Sequence, residues 1–198
     1  HLNGLAMDAG RPAYVTCLSR TNVFEGWREK RRDGGVVLDV PTGEVVAEGL
    51  SMPHSPRLHQ GTLWMLQAGT GEFGRIDRDT GRFEPVCFLP GFARGLSFVG
   101  DHAVIGISRP RENRTFEGLV LNERLEAESV SAQCAICVVN LRTGDIEHRL
   151  EIGGIVEEIY DVNLLPNVTR PMALGFRNDA IRFTIKPEAL SEPTGTMN

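Results

Sequence analysis

No run of this chain approaches the roughly 18 consecutive apolar residues that a membrane-crossing helix needs, so no membrane association is predicted. Basic character is missing too. The 198 residues carry a formal net charge of −5, whereas a non-specific nucleic-acid binder presents a basic surface. Lysine is almost absent, with 2 residues against 19 arginines, and arginine is the better fork for carboxylates. Cysteine is scarce: Cys17, Cys87, Cys134 and Cys137 are too few at this length for a disulfide scaffold, so a reducing, cytoplasmic setting is expected. The pair in "CAIC" lacks a second pair, and His148 stands alone near it, which argues against zinc. Because that pair opens the strand-like "CAICVVNL", its members point to opposite faces and are read as half-buried strand residues. No Gly-x-Ser-x-Gly elbow, HExxH motif or close carboxylate pair is present. "QAGTGEFG" lacks the Lys-Ser/Thr of a phosphate loop and does not lead into a helix, so no cofactor is expected. Enzyme status stays open, since sites built from distant residues leave no local motif. Neither an initiator Met nor a signal-like segment precedes His1, and the start inside an apolar segment predicts a piece of a longer protein.

What the sequence does hold is a repeat. "LDVPTGEVV", "IDRDTGRFE" and "VNLRTGDIE" each place Asp or Asn and then Thr-Gly between two alternating apolar runs. That pattern suits a hairpin whose glycine takes positive φ. The glycines fall at 43, 81 and 144. Before each hairpin stand two further strand-like runs: "HLNGLAM" with "AYVTCLS", "MPHSPRL" with "TLWMLQA", and "FARGLSF" with "HAVIGIS". The unit is therefore four strands over about 40 residues, the size of a β-propeller blade. "IYDVNLL" and "RPMALGF" read as the first two strands of a fourth unit. The fold class is thus all-β and propeller-like, with about three complete blades and a partial fourth over 1–185. Residues 186–198 are read as a flexible tail. Extra segments, "RTNVFEGWREKRRD" and "RPRENRTFEGLVLNERLEAESVSAQ", both fall between the second and third strands of their units. They would decorate one face of the scaffold, where binding usually resides. Within the second, 122–129 is read as a short helix. An incomplete propeller would also leave open blade edges that invite self-association.

The strings "GLSMPHSPR", "GTLWMLQAGTGEFGRID", "FEPVCFLPGFARGLSF", "GISRPRENRTF" and "YDVNLLP" resemble a family of conserved bacterial proteins of unknown function. The similarity runs from His1 to about Ile185. It implies a propeller-like fold and a longer N-terminal part, and it brings no functional residues. "LNGLAMD" followed by "AYVT" is also similar to the gluconolactonase and strictosidine-synthase type of propeller. That likeness implies a place for Asn3 near a central metal or active site.

First strands line the hub of a propeller. Aligning Gly4, Ser55, Gly95 and Asp161 places Asn3, His54, Arg94 and Tyr160 at equivalent positions, polar or amphipathic where a core strand prefers Val or Ile. Together with Asp161 they form either a small polar pocket or simply a wet channel wall. Arg20 and Arg109, each after a serine that closes a second strand, and Arg111 and Arg114 beyond, put guanidinium groups on the inserted face. These serve either an anionic ligand or ion pairs with Glu25, Glu112 and Glu117 in the same loops. The leading reading is a binding or scaffold module for a small anionic molecule or a peptide. The alternative is a metal-assisted hydrolase or lactonase-like enzyme in which Asn3, His54 and Asp161 hold a divalent ion and an activated water.

Overall fold

The computed structural model describes residues 1–109, 117–173 and 179. Twelve strands form three separate four-stranded antiparallel sheets, each a simple up-and-down meander. Blade one is β1 (Leu2–Asp8), β2 (Arg11–Cys17), β3 (Gly35–Asp39) and β4 (Val45–Leu50). Blade two is β5 (Pro53–His59), β6 (Thr62–Gln67), β7 (Glu72–Asp77) and β8 (Arg82–Phe88). Blade three is β9 (Phe92–Val99), β10 (His102–Ser108), β11 (Ala135–Asn140) and β12 (Ile146–Glu151). First strands neighbour one another, β1 beside β5 and β5 beside β9, as in a propeller-like fold. All twelve strands lie in a compact unit, His1–Leu164.

The repeated Thr-Gly turn has one construction in all three blades. In blade one the Asp39 carboxylate accepts from the Thr42 backbone N–H at 2.9 Å and from the Thr42 hydroxyl at 2.8 Å. In blade two Asp77 accepts from the Thr80 N–H at 3.3 Å and its hydroxyl at 2.8 Å. In blade three Asn140 Oδ1 accepts from the N–H groups of Arg142 and Thr143, at 2.9 and 3.3 Å. The glycine closes each loop: Gly43, Gly81 and Gly144 each donate at 2.8 Å to the carbonyl of Asp39, Asp77 or Asn140. Their φ angles of 74°, 70° and 80° explain why glycine recurs there.

Two apolar seams join the blades. β6 turns Leu63 and Met65 toward blade one and Trp64 and Leu66 toward blade three, all buried, so "TLWMLQ" is apolar without alternation. The seam between blades one and two gathers Ala6, Val37, Ala47, Leu50, Leu63, Met65 and Ile76. The larger seam between blades two and three is built around Trp64 stacked on Phe73 at 5.2 Å, with Leu96, Ile105 and Ile107. Cys137 is fully buried in it and Cys87 packs against it. Burial pushes their thiols up, to about 12 for Cys87 and about 11 for Cys137. Cys134 is buried as well, so the "CAIC" pair lies deeper than the expected half-burial, because β11 is covered on its seam face and Cys134 is packed where the inserted loop rejoins the sheet. All four cysteines are free.

Both insertions fold down onto one apolar cluster of Leu18, Met52, Ala68, Phe92, Leu119, Leu121 and Leu125, with Trp27 at its side. The predicted short helix is present as α1 (Val120–Ala127), shifted two residues toward the N-terminus because Leu121 and Leu125 are its buried anchors. Arg124 fixes it to blade two, bonding Glu72 at 2.9 Å and lying over Phe88 at 4.0 Å. Arg32 reaches Glu123 at 2.8 Å and ties the first insertion to the second.

The expected first strand of a fourth blade, 159–165, is irregular and pairs with no strand among the described residues. Its first residue bonds the end of β10 instead. The Ile159 N–H donates to Ser108 Oγ at 2.8 Å, and the Arg109 N–H donates to the Glu157 carbonyl at 3.0 Å. Gly95, at φ 76°, lets this segment lie close, since a Cβ there would strike Asp161 and Val162. Of the second unit, Leu165–Asn198, the described part is an irregular turn with Asn167 at φ 60°. The predicted strand 170–176 is irregular as far as 173; its remainder, and the tail 186–198, lie outside the described residues. No helix among the described residues is long and apolar enough to cross a membrane.

Candidate functional site at the hub

Each first strand carries a β-bulge in its first half. The register slips between Leu2 and Gly4 in β1, between His54 and Arg57 in β5, and opposite Ile105 and Gly106 in β9, where Gly95 has no partner. A bulge bends the strand and re-aims side chains. Ser55 takes φ 50° and Gly95 φ 76° to make it. The Gly95 N–H, left without a ladder partner, donates to Ser55 Oγ of the neighbouring blade at 3.0 Å. The distortions of β5 and β9 are therefore stitched together, Asn3 Nδ2 donating to the Pro53 carbonyl links β1 to β5, and Asn3, His54 and Arg94 stand at or beside the bulges.

These residues line a pocket of about 520 Å³ whose wall also includes Leu5, Arg57, Tyr160 and Asp161. Five positions singled out from the sequence, Asn3, His54, Arg94, Tyr160 and Asp161, thus meet in one cavity. Of the loop arginines, the two described ones, Arg20 and Arg109, do not join them. Arg20 is exposed and approaches Glu48 at 4.0 Å. Arg109 is exposed at the end of blade three, and neither it nor Arg20 is among the residues that line the pocket. Arg111 and Arg114 lie outside the described residues. Arg57 was missed. It sits two residues past the positive-φ Ser55, and the extra residues of the bulge carry it to the pocket wall, which alternation alone does not foretell.

The pocket wall carries charges of both signs, Arg57 and Arg94 with Asp161. His54 is buried, edge-on to Phe92 at 5.6 Å, and Asn3 Nδ2 lies 3.2 Å from its Nδ1. Burial first, and the positive charge of Arg94 second, push its imidazole down to about 3, so it is neutral at physiological pH. Asn3 is held on both sides: its Oδ1 accepts from the Thr16 hydroxyl at 2.9 Å and its Nδ2 donates to the Pro53 carbonyl at 2.8 Å. One of the two lone pairs of the oxygen that a metal would need is therefore engaged with Thr16. Among the described residues no three His, Cys, Asp or Glu side chains converge as a metal set does.

Arg94 is packed between the rings of Phe92 and Tyr160, each 5.1 Å from its guanidinium carbon. Its Nη1 donates to Glu158 at 2.9 Å, and its Nε is buried with no hydrogen-bond partner. Arg57 Nη1 donates to the carbonyls of Leu5 and Pro56, at 3.3 and 2.9 Å, while its Nη2 faces Asp161 at 3.7 Å. Asp161 in turn accepts from the Val162 N–H at 2.9 Å and from Asn163 at 3.2 Å. Such a wall can orient a small polar molecule through fixed guanidinium and carboxylate groups.

No curated protein matches this chain. Among solved structures it is similar to the computationally designed Ika4 protein, at 14% identity and a TM-score of 0.49, over 84% of this chain and 81% of that one. It is also similar to the designed Ika8 protein, at 14% identity and a TM-score of 0.47, over 84% of this chain and 41% of that one. A third likeness is to a protein of unknown function from Bacteroides caccae, at 11% identity and a TM-score of 0.42, over 76% of this chain and 46% of that one. The family model described as a domain of unknown function, DUF4915, matches residues 1–174, and the chain belongs to that family, as the resemblance to a conserved family of unknown function implies.

Proposed function

We propose that this chain is a binding module whose site is the hub pocket and whose ligand is a small molecule held by an anionic group. The observation that carries this reading is the convergence of three bulged first strands on one cavity walled by Arg57, Arg94 and the neutral His54. Bulges cost ladder hydrogen bonds and are found where a strand must re-aim a side chain. Arginine forks bind carboxylates and phosphates with directed hydrogen bonds, and a neutral imidazole adds a hydrogen-bonding group without charge. Among the described residues of the inserted loops, Arg28 and Arg32 are engaged in surface ion pairs, with Glu25 at 2.7 Å and Glu123 at 2.8 Å. The free cysteines support a reducing compartment.

A thermal-shift screen of small carboxylates, phosphates and zwitterions tests the reading. Hits raise the Tm of the wild type, fail with Arg94→Gln, and persist with Arg20→Gln and Arg109→Gln. Hits that survive Arg94→Gln and vanish with either loop variant would move the site to the inserted face and overturn the proposal.

A further inference from the structure

We propose that the ligand is a zwitterion of the α-amino-acid type, its carboxylate taken by the guanidinium edges of Arg57 and Arg94 and its ammonium by Asp161. This rests on the reading of the hub pocket as a binding site and names the ligand's chemistry.

Charge balance comes first. On the pocket wall the cations Arg57 and Arg94 stand with the carboxylate of Asp161, and Arg94 is also paired with Glu158, which is not among the lining residues. The buried imidazole of His54 adds no positive charge. A doubly charged phosphate would bring uncompensated negative charge beside Asp161. A ligand carrying one charge of each sign complements the wall as it stands.

Geometry points the same way. Arg94 and Glu158 form a close pair at 2.9 Å with both side chains under one-fifth exposed. Arg57 and Asp161 do not: their nearest approach is 3.7 Å, too long for a hydrogen bond, and the Asp161 side chain is 51% exposed. Each is nevertheless fixed by its own chain, Arg57 by the Leu5 and Pro56 carbonyls and Asp161 by the Val162 N–H and Asn163. Two preset, opposite charges that do not close on each other form a dipolar slot. A carboxylate and an ammonium on one carbon fill it with two charge-assisted hydrogen bonds. Leu5 and the Tyr160 ring, both exposed, supply an apolar wall beside the slot for the ligand's side chain.

The test is calorimetric titration of the full chain, beginning from a thermal-shift panel of the twenty L-amino acids. The best amino acid is then compared with its N-acetyl form, its des-amino acid and inorganic phosphate. The expected result is an amino acid that binds, with affinity falling at least about tenfold when the amine is acetylated or absent. Asp161→Asn, an isosteric change at an exposed side chain, reproduces that loss for the amino acid and leaves the des-amino acid unaffected. If the des-amino acid or phosphate binds as well as the amino acid, the zwitterion is wrong while the anion-binding reading survives. If none of these probes binds the wild type, both fall together.

Discussion

The two seams between blades are built from the same repeat and are not alike. Between blades two and three, the Trp64–Phe73 stack and the branched side chains of β10 make a broad apolar layer. Between blades one and two the buried layer is smaller, with Leu50, Leu63, Met65 and Ile76 as its large members beside Ala6, Val37 and Ala47. The far flank of blade one leaves Leu5 and Met7 42% and 46% exposed. The repeat therefore fixes strand order and turns, while seam strength is set by side-chain volume. The hub pocket draws on both seams, with Asn3 from blade one, His54 from blade two and Arg94 from blade three. It should be lost when the weaker seam opens.

The largest effect is expected in the stronger seam. Phe73→Ala should cost about 4 kcal/mol, from lost transfer free energy and an unfilled cavity, read by chemical denaturation. Leu63→Ala in the weaker seam should cost about 3 kcal/mol. It should also release protection of blade-one amides in hydrogen exchange before those of blade three. Equal opening of both seams would erase the contrast. At the hub, Arg94→Ala removes one partner of a pair in which each side chain is under one-fifth exposed. A cost of about 3 kcal/mol is expected, at the lower end for broken buried pairs.

His54 supplies a pH signature. Its ordinary value is 6.5 and the folded chain holds it at about 3. The unfolded chain thus binds the proton more readily, and the stability tied to neutral His54 is complete above about pH 6.5. It is lost progressively as the pH falls toward 3, by up to about 1.4 kcal/mol per pH unit. His54→Gln should flatten the acid limb of the stability profile by that slope, measured against the wild type so that carboxylate titrations cancel. The smallest effects belong to the turns. Gly43→Ala should cost about 1 kcal/mol through its positive φ alone. Gly81→Ala should cost more, because the added Cβ would sit 2.8 Å from the Val46 carbonyl of blade one.

The three Thr-Gly turns placed the outer two strands of each blade, because Asp39, Asp77 and Asn140 each cap a loop closed by a glycine that must take positive φ, and the alternating runs before them placed the inner two. Register within the first strands was harder. Ser55 and Gly95 were aligned from the pattern, and they do take the same left-handed conformation. Nothing in the pattern says that the extra residues of the β5 bulge bring Arg57 to the same cavity as His54. Sequence places the loop arginines on one face; of those described, Arg20 approaches Glu48 of the outer strand β4 at 4.0 Å and does not line the hub pocket. A fourth first strand at 159–165 was read from its residues alone, but strand character needs a hydrogen-bonded neighbour, and Ser108 serves that segment instead.

The most direct test of the account is a backbone-amide NMR titration of the full chain with the best-binding amino acid. Gathering of three bulged strands at one site predicts shift changes confined to amides near Asn3, His54, Gly95 and Asp161, one set from each blade and one from the segment that follows. Changes centred on Arg20, Arg109 and the helix α1, with the hub amides silent, would contradict it.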